Sequence, residues 1–139
     1  MGYGHPESPE RLKAIEQELR VEGIFPLLQC YEAPQATHEQ LARVHSAHYL
    51  HAIETVAPQH GLLSIDSDTL MNPYTLEAAK CAAGAVVLAT DLVISGQVEN
   101  AFCNVRPPGH HATRDEAMGF CFFNNVAVGA AQALVLHGR

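Results

Sequence analysis

The stretch that most restricts what this chain can fold into runs from Glu99 to Asn125. In it an apolar run is stopped by Arg106-Pro107-Pro108-Gly109 and followed at once by His110-His111. Ala101, Phe102, Cys103 and Val105 are apolar and lie between Gly96 and the proline pair, which predicts a short buried strand over 99–105. The prolines fix φ and remove amide donors, and Gly109 can take backbone conformations closed to other residues, so the chain must leave the sheet at Arg106. The C-terminal edge of an open α/β sheet is where such folds place their chemistry. Two neighbouring imidazoles delivered there are candidates for proton transfer, and the plain alternative is a pair that only hydrogen-bonds within a turn.

The flanking pattern is helical. Ser8-Pro9-Glu10 opens a helix, with Ser8 as its cap, and Leu12, Ile15 and Leu19 repeat at helical spacing up to Gly23. Arg11 in that first turn reads either as a solvated arginine, slightly disfavoured by the helix dipole, or as an internal one. Leu27 to Tyr31 predicts a short strand. Thr37-His38-Glu39-Gln40 has the spacing of a capping box, and Ser46 caps the next helix through Tyr49, Leu50 and Ile53. His45, His48 and His51 fall at three-residue steps, but no cysteine or carboxylate is spaced to complete a tetrahedral shell, which argues against a metal patch. Ile65 to Thr69 and Asn72-Pro73 form a polar loop. Pro73 to Ser95 is a helix rich in small residues (Ala78, Ala79, Ala82, Ala83, Gly84, Ala85), suited to close approach to a sheet, and it ends at Gly96. Asn124 to His137 is a further apolar helix closing at Gly138. Strand, helix, strand, helix implies a parallel sheet.

Composition removes several function classes. Eight Lys plus Arg stand against fifteen Asp plus Glu, a formal charge of −7, so the chain has no basic stripe for phosphates and direct nucleic-acid binding is disfavoured. The most apolar span, Ala78 to Ser95, contains Lys80, Thr90 and Asp91 and is alanine-rich, so a buried helix is favoured over a membrane span. Cys30, Cys81, Cys103 and Cys121 are scattered without a Cys-x-x-Cys pair, and the start lacks the regions of a signal peptide. Both point to a reducing, cytoplasmic setting. At 139 residues a single domain is expected.

Arg106-Pro107-Pro108-Gly109-His110-His111-Ala112, with Ala117-Met118-Gly119-Phe120-Cys121 and Asn124-Asn125-Val126-Ala127-Val128, resembles the histone deacetylase superfamily in its bacterial and class II-like branch. Gly4-His5-Pro6-Glu7-Ser8-Pro9-Glu10-Arg11-Leu12 is similar to that family's opening motif, and Asp66-Ser67-Asp68-Thr69 followed by Ala78-Ala79 to its middle. The resemblance covers essentially the whole chain in the family's order. It implies an α/β fold, a partial arginase/deacetylase-like parallel sheet with flanking helices and a helix-rich balance. Residues 1–139 would form the N-terminal part of the domain, with the family's first strand missing or cut down to Met1-Gly2-Tyr3 and its C-terminal metal-binding part absent.

The resemblance also implies a zinc-dependent hydrolysis of acetyl-lysine, acetylpolyamine or a similar linear amide. In it His111 would be the acid/base and His110 the electrostatic partner. Gly119 and Phe120 would form a tunnel wall, Asp68 would hold the substrate backbone at the rim, and Arg11 would lie beside an internal channel. The family's zinc ligands match no residue of this chain, so no bound metal is expected. A histidine acid/base is worth ~10²–10⁴ in rate, whereas zinc lowers the pKa of bound water from about 15.7 to about 7, on the order of 12 kcal/mol. The isolated chain is therefore expected to be inactive. The rival expectation is a naturally truncated, non-catalytic module acting through self-association at an uncovered sheet or through a protein partner. An anion site on the Arg-Pro-Pro-Gly turn is weak, because no glycine-rich phosphate loop accompanies its one arginine.

Overall fold

The computed structural model describes residues 4–138. The helices are α1 (Glu10–Val21), α2 (His38–Ala42), α3 (Ala47–Thr55), α4 (Thr75–Ile94) and α5 (Asn125–His137). A 3-10 turn spans Phe25–Leu27, and two short strands, β1 (Leu63–Ser64) and β2 (Leu70–Met71), pair antiparallel.

The helix starts follow local chemistry. At α2 the Thr37 hydroxyl accepts from the Gln40 amide at 3.2 Å while the Gln40 side chain accepts from the Thr37 amide at 2.8 Å, a complete capping box. Ser46 caps α3 through the Tyr49 amide, and Asn124 caps α5 through the Ala127 amide. At α1 the cap position falls on Pro9 and not on Ser8, whose side chain makes no cap bond. Instead the Ser8 carbonyl takes the Arg11 amide at 3.2 Å.

The core lies where α4 and α5 pack together over α2 and α3. It contains Leu41, Tyr49, Leu50, Ile53, Met71, Ala83, Val87, Phe122, Phe123 and Val128. Small residues let the two long helices approach, since a Cβ on Gly129 would come within 2.6 Å of Val86 Cγ1. A polar chain crosses this packing. Arg43 donates to Gln132 Oε1 at 2.7 Å and to Glu39 at 3.0 Å, and Gln132 Nε2 donates to both oxygens of Asp91 at 3.0 Å. Gln132 is buried, so satisfying its amide oxygen and nitrogen together avoids the cost of an orphaned polar group. No helix among the described residues is long and apolar enough to cross a membrane.

Three sequence expectations are corrected. Residues 99–105 carry no strand ladder, and Ala101 and Phe102 are exposed. Residues 27–31 close a 3-10 turn, with Leu28 extended at its end, and carry no ladder. The sheet formed among the described residues is thus a two-stranded antiparallel ribbon rather than a parallel one. The common reason is that a strand exists only when a neighbour supplies the other half of its hydrogen bonds. The small face of α4 likewise meets the 34–36 segment, where the Ala36 amide reaches the Lys80 carbonyl at 2.9 Å, and α5, not a sheet.

His45 is 1% exposed, while His48 and His51 lie on the surface, so the three do not converge. Its Nε2 accepts from the Asn124 amide at 3.0 Å, and its ring packs against Tyr49 and Phe123. Burial pushes its pKa below the usual 6.5, against the pull of the Arg114 and Thr113 carbonyls and of Asp115. The folded chain thus binds this proton less readily than the unfolded one. Stability on this account falls as pH drops below about 6.5 and levels off only once the folded group also titrates. Urea midpoints measured from pH 5 to 7.5 should rise with pH, and His45→Gln, which keeps an acceptor for the Asn124 amide, should flatten that rise. An unchanged slope in the variant would assign the pH dependence to other histidines.

Candidate active site

The Pro107-Pro108-Gly109 turn delivers His110 and His111 to the surface with ring centroids 4.3 Å apart and planes tilted by 56°. The turn is pinned to α5. The Gly109 carbonyl accepts from the Val126 amide at 3.2 Å, and the Asn124 side chain donates to the Ala112 carbonyl at 3.0 Å.

Beside the pair, Met118 and Cys121 bond each other in both directions (3.1 and 2.9 Å) around Gly119 and Phe120, which have φ of 55° and 67°. Positive φ at both central positions marks a type I′ hairpin turn. Gly119 fits that role, but Phe120 is a bulky residue in the left-handed region, a strain on the order of 1–2 kcal/mol that the surroundings must hold. They do so with a hydrogen bond from the Phe120 amide to Thr69 Oγ1 at 3.2 Å and an edge contact between the Phe120 and His5 rings at 4.7 Å. Gly119 has a second reason to lack a side chain, because a Cβ there would fall 2.7 Å from His111 Cδ2. The His111 ring is therefore seated on the Gly119 backbone, and the pair and the wall form one surface. Buried Cys121 links them further, its sulfur accepting from the His110 amide at 3.4 Å and donating to the Gly119 carbonyl at 3.2 Å.

Asp68 reaches the same surface from the β1–β2 loop. The Asp66 carboxylate accepts from the Asp68 and Thr69 amides at 2.9 and 2.7 Å; burial is the largest single influence and raises its pKa, but these amides together with the Thr69 and Asp68 side chains outweigh it and hold the carboxyl below the usual range. Thr69 Oγ1 donates to Asp68 Oδ1 at 3.1 Å, and the Asp68 carbonyl accepts from His5 Nε2 at 3.1 Å. The Asp68 side chain itself is exposed.

Arg11 is placed differently from these residues. Its side chain is 50% exposed and pairs with Glu7, whose carboxylate is 3% exposed and also accepts from Arg106 Nε at 3.0 Å. Arg106 further donates to the Glu7 carbonyl at 3.3 Å, so Glu7 clamps the opening segment to the residue that starts the histidine turn. The structure brings together His110, His111, Gly119, Phe120 and Asp68, and sets Arg11 apart from them, half-exposed and paired with Glu7. Sequence reasoning missed His5, Glu7, Thr69 and Cys121 as members of this surface. For His5 and Glu7 the signal available was their place in the opening motif. Among the described residues no three His, Cys, Asp or Glu side chains converge in a way that could hold a metal ion, so they do not by themselves make a zinc site.

This arrangement is that of an arginase/deacetylase-type α/β fold. Its backbone superimposes on the crystal structure of the HDA15 HD domain with a TM-score of 0.88 at 39% identity, over 96% of this chain and 37% of that one. The family model described as the histone deacetylase domain matches residues 5–139, and the chain belongs to that family. It is 42% identical over 97% of its length to a histone deacetylase-like amidohydrolase of Pseudomonas aeruginosa, covering 35% of that protein. Similarity extends to histone deacetylase 15 of Arabidopsis thaliana, at 44% identity and 23% of its length, and to polyamine deacetylase HDAC10 of Rattus norvegicus, at 38% and 23%. The chain thus spans about a third or less of these curated relatives.

Proposed function

We propose that the surface around His110 and His111 is the proton-transfer and substrate-aligning part of an amidohydrolase that removes acetyl groups from acetyl-lysine, an acetylpolyamine or a similar linear amide. The observation that carries this reading is the pair of exposed imidazoles, ring centroids 4.3 Å apart, with the His111 ring seated on Gly119 of the Gly119-Phe120 turn. His111, seated on Gly119, takes a proton from the attacking water and returns it to the leaving amine nitrogen, so that the amide departs as a neutral amine rather than an amide anion. His110, one ring away, stabilises the negative charge that develops on the acetyl oxygen. Phe120 lines the methylenes of the substrate chain, and the Asp68 carboxylate holds a backbone or ammonium donor at the rim. The names of the Pseudomonas and Rattus relatives support this reaction class. The described side chains do not converge on a metal site, and the chain's own part is proton transfer and alignment.

The test uses the gene's full product with an acetyl-lysine peptide. His111→Ala should lower kcat by ~10²–10⁴ while KM changes only a few-fold, as for loss of a general acid/base. A kcat within threefold of wild type would overturn the assignment. The 139-residue chain alone should give no turnover, and chelator-sensitive hydrolysis by it would overturn that expectation.

A further inference from the structure

We propose that His5 is a positioning residue that fixes the rim and the wall of this site relative to each other, a role that rests on the amidohydrolase reading and sharpens it. The geometry defines one protonation pattern. Nδ1 accepts from the Glu7 amide at 3.0 Å and so carries no proton, while Nε2 faces the Asp68 carbonyl at 3.1 Å, an acceptor, and so carries one. The same ring meets Phe120 edge-on, with planes at 76°. From Phe120 the path closes on itself, since its amide donates to Thr69 Oγ1, whose hydroxyl donates to Asp68 Oδ1. His5, Asp68, Thr69 and Phe120 thus form a ring of contacts joining segments more than fifty residues apart in sequence.

The consequence lies in what each contact restrains. Phe120 sits in the left-handed region, so its ring direction depends on outside support, and His5 and Thr69 supply it. Asp68 is exposed on a loop that Thr69 Oγ1 already ties to the Phe120 amide, and the His5 bond to the Asp68 carbonyl is a second tie, from the opening segment, that fixes how the Asp68 end of the loop is set against the Phe120 ring. His5 is in turn held by the segment that Glu7 clamps to Arg11 and Arg106. It need not touch substrate to set the width between rim and wall.

The test is nuclear magnetic resonance on the 139-residue chain, with labelled histidine, an Asp68 carbonyl label and a Phe120 ring label. In the wild type the His5 ring should appear as the Nε2–H tautomer, and a dominant Nδ1–H tautomer would overturn the proposal. In His5→Ala the Asp68 carbonyl and Phe120 ring signals should shift and the Thr69 amide exchange faster, with α4 and α5 amides unmoved. His5→Gln, whose amide nitrogen reaches the Asp68 carbonyl, should recover the carbonyl signal, whereas His5→Asn, which can only mimic Nδ1, should not. Should His5→Ala fail to fold, the Gln and Asn variants decide. Unmoved Asp68 and Phe120 signals, or identical Gln and Asn spectra, overturn the role. Titration of the gene's full product and its variants with N-acetyl-lysine amide completes the test. Several-fold weaker binding in His5→Asn than in His5→Gln is expected, and equal binding overturns positioning. Absence of binding by the wild type would sink the amidohydrolase reading instead, leaving the tautomer and carbonyl signals to judge His5.

Discussion

Gly84→Ala should destabilise the chain by about 3 kcal/mol, the upper end of what overpacking usually costs. Gly84 lies in the middle of α4 with its Cα turned onto the 34–36 segment. A Cβ there would sit 1.9 Å from the Pro34 carbonyl oxygen and 2.7 Å from the Ala36 amide nitrogen. Both obstacles are backbone, so no rotamer change relieves them. In an ordinary helix the same substitution would help by about 1 kcal/mol through propensity, which makes the sign of the result diagnostic. Relief would require the segment to lift away from α4, breaking the Ala36 amide bond to the Lys80 carbonyl. The measurement is urea unfolding, in which the midpoint should fall with the slope unchanged. Gly96→Ala is the control. Gly96 has φ of 73° with nothing within 4 Å of its absent Cβ, so it should cost only the left-handed conformation, about 1 kcal/mol. Equal losses at the two positions would mean that volume at Gly84 is unimportant.

The contrast between these glycines shows what the sequence could convey. The capping box at Thr37-Gln40, the Ser46 cap, the stop of α4 near Gly96 and the close of α5 at Gly138 were all readable, because each is settled by residues within one helical turn. The alanine and glycine face of α4 announced that a backbone would come close, but not whose. The predicted strands at 27–31 and 99–105 failed for a related reason, since apolar runs describe side chains whereas a strand needs partners for its backbone. In the site, His110 and His111 and the Gly119-Phe120 pair stood out as compact motifs, and they do meet. His5 and Glu7 did not stand out, because what they hold lies 63 and 99 residues away.

Gly109 supplies the second large effect, and here the sequence suggested the right residue for the wrong reason. Gly109 was expected to serve the turn by backbone freedom, yet it is absent from the glycines with positive φ. What it provides is space. A Cβ would lie 2.1 Å from Cγ of the buried Asn125 and 2.3 Å from its Nδ2, while the Gly109 carbonyl bonds the next residue's amide. Gly109→Ala should therefore cost about 2–3 kcal/mol and shift the His110 and His111 ring signals, because the turn must rise off the first turn of α5 or Asn125 must leave its buried place. Asn125→Ala alone should cost less, and in the double variant the clash is gone. Steric exclusion predicts that the double variant recovers more than half of the Gly109→Ala loss, a coupling of about 1 kcal/mol or more and well outside additivity. Were the turn instead to need glycine for its conformation, the two losses would add and the ring signals would stay displaced. The double-mutant cycle thus separates a demand for room from a demand for backbone freedom at the residue that delivers both histidines.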